Sequence, residues 1–180
     1  MKKAMIILAD GFEEAEAVVT IDIMRRARIE VILAGLDSFD IRSARDLHIA
    51  AEVLLAEATR DFDALVLPGG QPGTGNLGKS PLVLDMIRSA NGEGKLVAAI
   101  CAAPSVLAKA GVLTGRRFTC FPGVEKEVGG AIFESGAVVV DKNIITSRGM
   151  GTAIPFGLAI VAYLAGIPAA DAISKAIVFS

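Results

Sequence analysis

Ala4-Met-Ile-Ile-Leu-Ala-Asp-Gly-Phe-Glu-Glu-Ala-Glu-Ala-Val-Val-Thr-Ile-Asp-Ile-Met-Arg-Arg-Ala-Arg-Ile-Glu-Val-Ile-Leu-Ala34 carries the grammar of the fold. Ala4 to Ala9 is an apolar run too short for a helix, Glu13 to Ala27 repeats its apolar residues at helical spacing, and Val31 to Ala34 is apolar again. This is a strand, a helix and a second strand. The pattern recurs downstream. Asp63 to Pro68 is a strand closed by the turn residues Gly69 and Gly70, and Pro81 to Ala90 is a helix with proline in its first turn. Leu96 to Ile100 is a strand, and Pro104 to Ala110 a helix stopped at Gly111. Strands apolar on both faces need cover on both sides. The expectation is therefore an α/β fold, a doubly wound, mostly parallel sheet with helices on both faces.

From Arg117 the pattern shifts to short strands at Phe118, Ala137 to Val140 and Ile144 to Ser147. Ala153 to Ala170 follows without a charge, interrupted or bounded by Pro155, Gly157, Gly166 and Pro168. It is read as a buried helix starting near Pro155, because the sheet needs such a helix, and not as a membrane span. A last helical stretch is expected from Ala169. No linker interrupts residues 1–180, and a chain of 180 residues fits one domain better than two.

Composition narrows the function. Hydrophobic residues make up 53% of the chain and charged ones 21%, so no long segment reads as disordered. The formal charge is -2, with Lys and Arg scattered, and nucleic acid is not an expected partner. The apolar stretch after Met1-Lys2-Lys3 stops at Asp10, too early for a signal peptide. Two cysteines make neither a secreted disulfide framework nor a zinc site. A cytoplasmic location, no metal and no membrane are expected.

In doubly wound sheets ligands bind beyond the carboxyl ends of the strands, where strand order reverses. Asp10-Gly-Phe12, Gly69-Gly70 and Cys101 all lie at such ends. Cys101 closes the strand in Lys95-Leu-Val-Ala-Ala-Ile-Cys-Ala-Ala-Pro104, and a thiol before a helix faces donors that favour thiolate. Taken alone it is equally a small buried hydrophobe. Its partners decide. The single histidine, His48, sits in the short strand Asp46 to Ala50 and is read as a surface or packing residue. Glu13 and Glu14 are explained as first-turn acids that complement the helix dipole. Glu16 lies instead among Ala15, Ala17, Val18 and Val19, on a helix buried nearly all round. A buried carboxyl with no cation beside it holds its proton and can donate to a Cys101 thiolate. The amides of Gly70 and Ala102 would then form an oxyanion hole. Cys120 reads either as a buried strand residue or as a second oxidisable thiol.

With these residues in place, the chain resembles the ThiJ/PfpI superfamily, in the branch of the parkinsonism-associated deglycase. The resemblance rests on Gly11 to Glu16, Asp22 to Ala27, Ser43 to Asp46, Leu67 to Gly70, Ala99 to Pro104 and Thr146 to Thr152, in that order. It implies a flavodoxin-like fold, a homodimer, and a reactive Cys101 hydrogen-bonded to protonated Glu16, with backbone donors at Gly70 and Ala102. Arg26 and Arg45 match arginines near the dimer interface and cysteine pocket, and Gly69 belongs to the same pocket. The resemblance implies catalysis without metal or organic cofactor. Three positions depart from the pattern. Phe121 stands where this branch often has histidine, Ala102 where the protease-like branch has one, and Met150 where proline is usual.

Two functions remain open. In one, Cys101 attacks the aldehyde of methylglyoxal or glyoxal, with Glu16 moving protons, and the same chemistry extends to early glycation adducts. In the other, peroxide oxidises Cys101 to a sulfinate that Glu16 stabilises, and the protein is a redox sensor or protective protein.

Overall fold

A computed structural model describes residues 1–179. In chain order the strands are β1 (Lys3–Leu8), β2 (Glu30–Gly35), β3 (Asp40–Arg42), β4 (His48–Ala50), β5 (Val53–Leu54), β6 (Ala64–Leu67), β7 (Leu96–Ile100), β8 (Arg117–Phe118), β9 (Ile132–Phe133), β10 (Val138–Asp141) and β11 (Ile144–Ser147). The helices are α1 (Glu14–Arg26), α2 (Gly73–Lys79), α3 (Pro81–Gly92), α4 (Pro104–Lys109), α5 (Ala153–Ala165) and α6 (Ile167–Ala176).

Seven strands form the central sheet in the order β10-β11-β7-β6-β1-β2-β5. Every pairing is parallel except that of the edge strand β10 with β11. Strands β1, β6 and β7 are buried on both faces, which is why they read as unbroken apolar runs. Alternate residues feed two cores. Met5, Ile7, Leu65, Leu67, Val97 and Ala99 face one, with α3 and α4. Ala4, Ile6, Leu8, Val66, Ala98 and Ile100 face the other, with α1 and α5. The chain winds outward from β1 toward β2 on one side and from β6 toward β7 and β11 on the other. The order thus reverses between β1 and β6, and the carboxyl ends of those strands open the crevice that this topology offers a ligand.

The apolar segment from Ala153 divides as its glycine and proline interruptions suggest, with the last helix starting at Ile167, two residues before the expected Ala169. It breaks at Gly166, whose φ of 91° no helix accommodates, and α6 restarts at once with Pro168 in its first turn. The stretch Gly73-Thr-Gly-Asn-Leu-Gly-Lys79 is a helix that composition hides, since its three glycines disfavour one. No helix among the described residues is long and apolar enough to cross a membrane.

Candidate active site

The crevice is closed by backbone and carboxylate acting together. The turn after β1 and the turn after β6 meet where the Glu13 amide donates to the Gly69 carbonyl at 2.8 Å. The Gly69 amide in turn donates to Glu16 Oε2 at 2.8 Å. Glu13 caps α1 with its side chain, accepting from the Glu16 amide at 2.7 Å. These bonds fix the first turn of α1, and Glu16 is driven inward to 1% exposure.

Cys101 follows β7 directly. Its amide donates to the Ser147 carbonyl at the end of β11, at 2.9 Å, and its carbonyl accepts from the Phe121 amide at 2.8 Å. With both backbone groups held, the residue sits at φ 65°, a left-handed conformation that a cysteine adopts only under such restraint. The thiol emerges half-buried beside the Glu16 carboxyl, with the amides of Ala102 and Gly70 near enough to favour its thiolate. The structure thus brings Cys101, Glu16, Gly69, Gly70 and Ala102 together.

The two glycines are required by space. A β-carbon on Gly69 would lie 2.6 Å from Cys101 Cβ and 2.7 Å from Glu16 Oε2. One on Gly70 would meet the Glu13 amide nitrogen at 2.3 Å, at a φ of 94°. Gly69 is therefore the residue whose missing side chain lets thiol and carboxyl approach. Gly69→Ala is expected to part them and lower turnover about a hundredfold or more, the size of effect a lost proton-transfer partner gives. The check is kcat on a variant whose circular dichroism matches the parent; a variant within threefold of the parent would remove Gly69 from the site.

Burial pushes the Glu16 carboxyl up to about 7, against the opposing pull of the Gly69 amide and the Cys101 thiol. Its Oε1 has no well-aligned donor, although thiol and carboxyl act on each other as hydrogen-bonding neighbours. Burial of the sulfur, then repulsion by an ionised Glu16 and the thiol's donation to it, push Cys101 up to about 12, while the Ala102 and Gly70 amides pull it down. The helix terminus expected to support a thiolate starts three residues beyond the sulfur. Helix α4 begins only at Pro104 and is six residues long, so two amides stand where a helix dipole was expected, and burial outweighs them. The pair must be treated as one acid. Above about pH 7 it holds a single proton, and moving that proton from sulfur to carboxyl creates thiolate and protonated acid in one transfer.

Cys101, Glu16, Gly70 and Ala102 line a cleft of about 800 Å³, together with Glu13, Glu14, Arg45, Phe121 and Met150. Arg45 Nη1 is 3.6 Å from Glu13 Oε1 and 4.0 Å from Glu14 Oε2, at the rim. Arg26 lies elsewhere: it pairs with Asp22 at 2.6 Å in a separate groove with Val18, Ile154 and Ile177. The pocket role considered for it is therefore not met. His48 is exposed on the β3–β4 hairpin, 2.9 Å from Asp40, and does not line the cleft. Cys120 is fully buried in the core on the other face of the sheet, and burial pushes its thiol up to about 11.

Sequence reasoning assigned no role to Gly149, which forms the floor beside the sulfur. Thr152 Oγ1 holds the Gly149 turn at both its amide (3.1 Å) and its carbonyl (2.9 Å), and Ser147 Oγ bonds the same hydroxyl at 2.7 Å. The spaced Ser147, Gly149 and Thr152 were the available signal.

The family profile described as DJ-1/PfpI matches residues 2–163. Among curated proteins, Protein dj-1beta of Drosophila melanogaster is 43% identical, covering 97% of this chain and 95% of that protein. A Caenorhabditis elegans protein named glutathione-independent glyoxalase DJR-1.2 is 34% identical over 92% of this chain and 90% of its own. The crystal structure of Drosophila melanogaster DJ-1beta superposes with a TM-score of 0.96 at 42% identity, covering 99% of this chain and 98% of that one. With matches that run along nearly the full length of both partners, the chain belongs to the DJ-1/PfpI family.

Proposed function

We propose that the protein converts small α-oxoaldehydes such as methylglyoxal and glyoxal to 2-hydroxy acids, with no metal or organic cofactor. The observation that carries this reading is the Cys101 thiol set beside the buried Glu16 carboxyl, with Gly70 and Ala102 lining the same solvent-open cleft. A relative named as a glutathione-independent glyoxalase supports it.

The proton passes from Cys101 to Glu16 as the sulfur attacks the aldehyde carbon. The amides of Gly70 and Ala102 take the developing oxyanion, and Glu16 returns the proton to give a hemithioacetal. Glu16 then removes the hydrogen from that carbon and a proton is delivered to the neighbouring carbonyl carbon, so the adduct becomes a thioester of the 2-hydroxy acid. Water cleaves the thioester and restores the thiol. One water is added overall, and nothing is oxidised or reduced in net terms. Aldehyde adducts formed early in glycation would enter by the same attack. Product identification, lactate from methylglyoxal and glycolate from glyoxal, tests the reading; no product above buffer plus free thiol would end it.

A second reading is favoured by the same two amides. They and a protonated Glu16 would bind the oxygens of a Cys101 sulfinate, so that peroxide exposure leaves a stable mark. Graded peroxide followed by intact mass tests it. The homodimer remains part of the proposal, supported by Val18, 46% exposed on α1 in the groove that also holds Arg26, and sedimentation velocity measures it.

A further inference from the structure

Two parts of the cleft lining differ in chemistry. Along α1 stand Glu13 and Glu14, with side chains 14% and 12% exposed, and the Oε2 of Glu14 is buried without a hydrogen-bond partner. Their countercharge, Arg45, is 71% exposed at a distance of 3.6 to 4.0 Å, too far and too wet to neutralise them fully. The same cleft is lined by Phe121, 51% exposed, and Met150, 59% exposed. Large apolar side chains held half in water beside a reactive sulfur are unusual unless something covers them.

The floor of the cleft shows what fits. A β-carbon placed on Gly149 would lie 3.4 Å from the Phe121 ring, 3.9 Å from Cys101 Sγ and 3.9 Å from Glu16 Oε1. Ring, sulfur and carboxyl therefore surround one hollow the size of a methyl group. An aldehyde carbon bonded to the sulfur lies near that hollow, which the Phe121 ring borders, and Phe121 and Met150 line the same cleft within reach of a substituent on the other carbon.

We propose that Phe121 and Met150 select uncharged α-oxoaldehydes bearing an aromatic or branched apolar substituent, and that the acidic wall rejects anionic carbonyls. This deepens the function proposed above and rests on it for the reaction itself, not for the binding preference. An aryl group covers the Phe121 ring and the Met150 thioether and gains the contacts that both side chains now make with water. A methyl group reaches neither.

The experiment compares kcat/KM for phenylglyoxal and methylglyoxal in the parent, Phe121→Ala and Phe121→Leu. Initial rates are used, with intact mass confirming that phenylglyoxal has not modified arginine. Phe121→Ala is expected to lower the phenylglyoxal value about tenfold more than the methylglyoxal value, the discrimination an apolar pocket supplies. Phe121→Leu should retain most of the ratio. In parallel, the Cys101→Ser variant is titrated by NMR with 2-hydroxyacetophenone and hydroxyacetone, which cannot form the thiol adduct, in the presence and absence of Phe121→Ala. Tighter binding of the aryl compound, lost with Phe121→Ala, supports the inference even if neither aldehyde is turned over, an outcome that defeats only the glyoxalase reading. Equal binding of the two ketones, or an unchanged kcat/KM ratio in Phe121→Ala, overturns it. Turnover of 4-carboxyphenylglyoxal as efficient as that of phenylglyoxal overturns the rejection of anions.

Discussion

Cys101→Ser is expected to lower kcat/KM for methylglyoxal by roughly a thousandfold or more, to the rate of buffer alone, because a serine hydroxyl in this setting has no base strong enough to ionise it. Glu16 serves a thiol well because the two acids share a proton. Serine's far weaker acidity breaks that exchange while leaving the side chain nearly the same size. Cys101 is only half-buried and the Ser147 and Phe121 backbone bonds do not involve its side chain, so the fold should persist. The measurement is lactate formation together with a thermal melt. Lactate at more than about a tenth of the parental rate from a well-folded serine variant would mean that another group does the chemistry.

Glu16→Gln should show the second largest effect, a fall in kcat/KM of about a hundredfold to a thousandfold, typical of losing a proton shuttle. Glutamine can still accept from the Gly69 amide but cannot exchange a proton with sulfur. The pH profile gives the sharper reading. In the parent, kcat/KM should rise with pH and level off above about 7, as the pair loses the first of its two protons. In Glu16→Gln that break should vanish, while oxidation of Cys101 by peroxide continues. Stability should move the opposite way. Glu16 is raised in the folded state from its ordinary 4.5 to about 7, so the folded protein binds the proton more tightly. The stability this gives is fully present below about pH 4.5 and is lost as pH rises through about 7. Above that pH an ionised Glu16 costs roughly 3 kcal/mol, at about 1.4 kcal/mol for each tenfold change in proton affinity. Glu16→Gln should therefore melt higher than the parent at pH 8, by several degrees for a domain this size, and lose that advantage at pH 4. A parallel pair of melting curves across pH would refute the burial argument.

The sheet was legible because β1, β6 and β7 are buried on both faces and have no alternative reading. Glu16 was legible for a related reason: it is a carboxyl on a helix with no polar face at that turn. The acidity of the thiol was not. A helix following a cysteine is visible in sequence, but the burial that opposes it depends on β11, on the loop carrying Phe121 and on Gly149, all far along the chain. The pinch at Gly69 was hidden for the same reason. Two glycines after a strand look like any tight turn, and only the 2.6 Å approach to Cys101 Cβ gives the first of them its purpose. Helix α2 was hidden locally, because its three glycines disfavour the helix it forms.

The unequal burial of the two cysteines has a bearing on how an oxidised Cys101 could be reset. Cys101 packs toward the core beneath α1 and α5, and Cys120 lies wholly within the core of α3 and α4. A sulfenic acid at Cys101 thus meets no exposed thiol of its own chain, because Cys120 is fully buried. It is either reduced by a thiol from solution or carried forward to the sulfinic acid, which ordinary thiols do not reverse. Intact mass after peroxide should show gains of one and two oxygens, without the loss of two hydrogens that an internal disulfide gives. Such a centre has no reset of its own. If Cys101 is oxidised as in the second reading proposed above, each oxidised copy would record an exposure until it is replaced, and the fraction oxidised would report the accumulated dose.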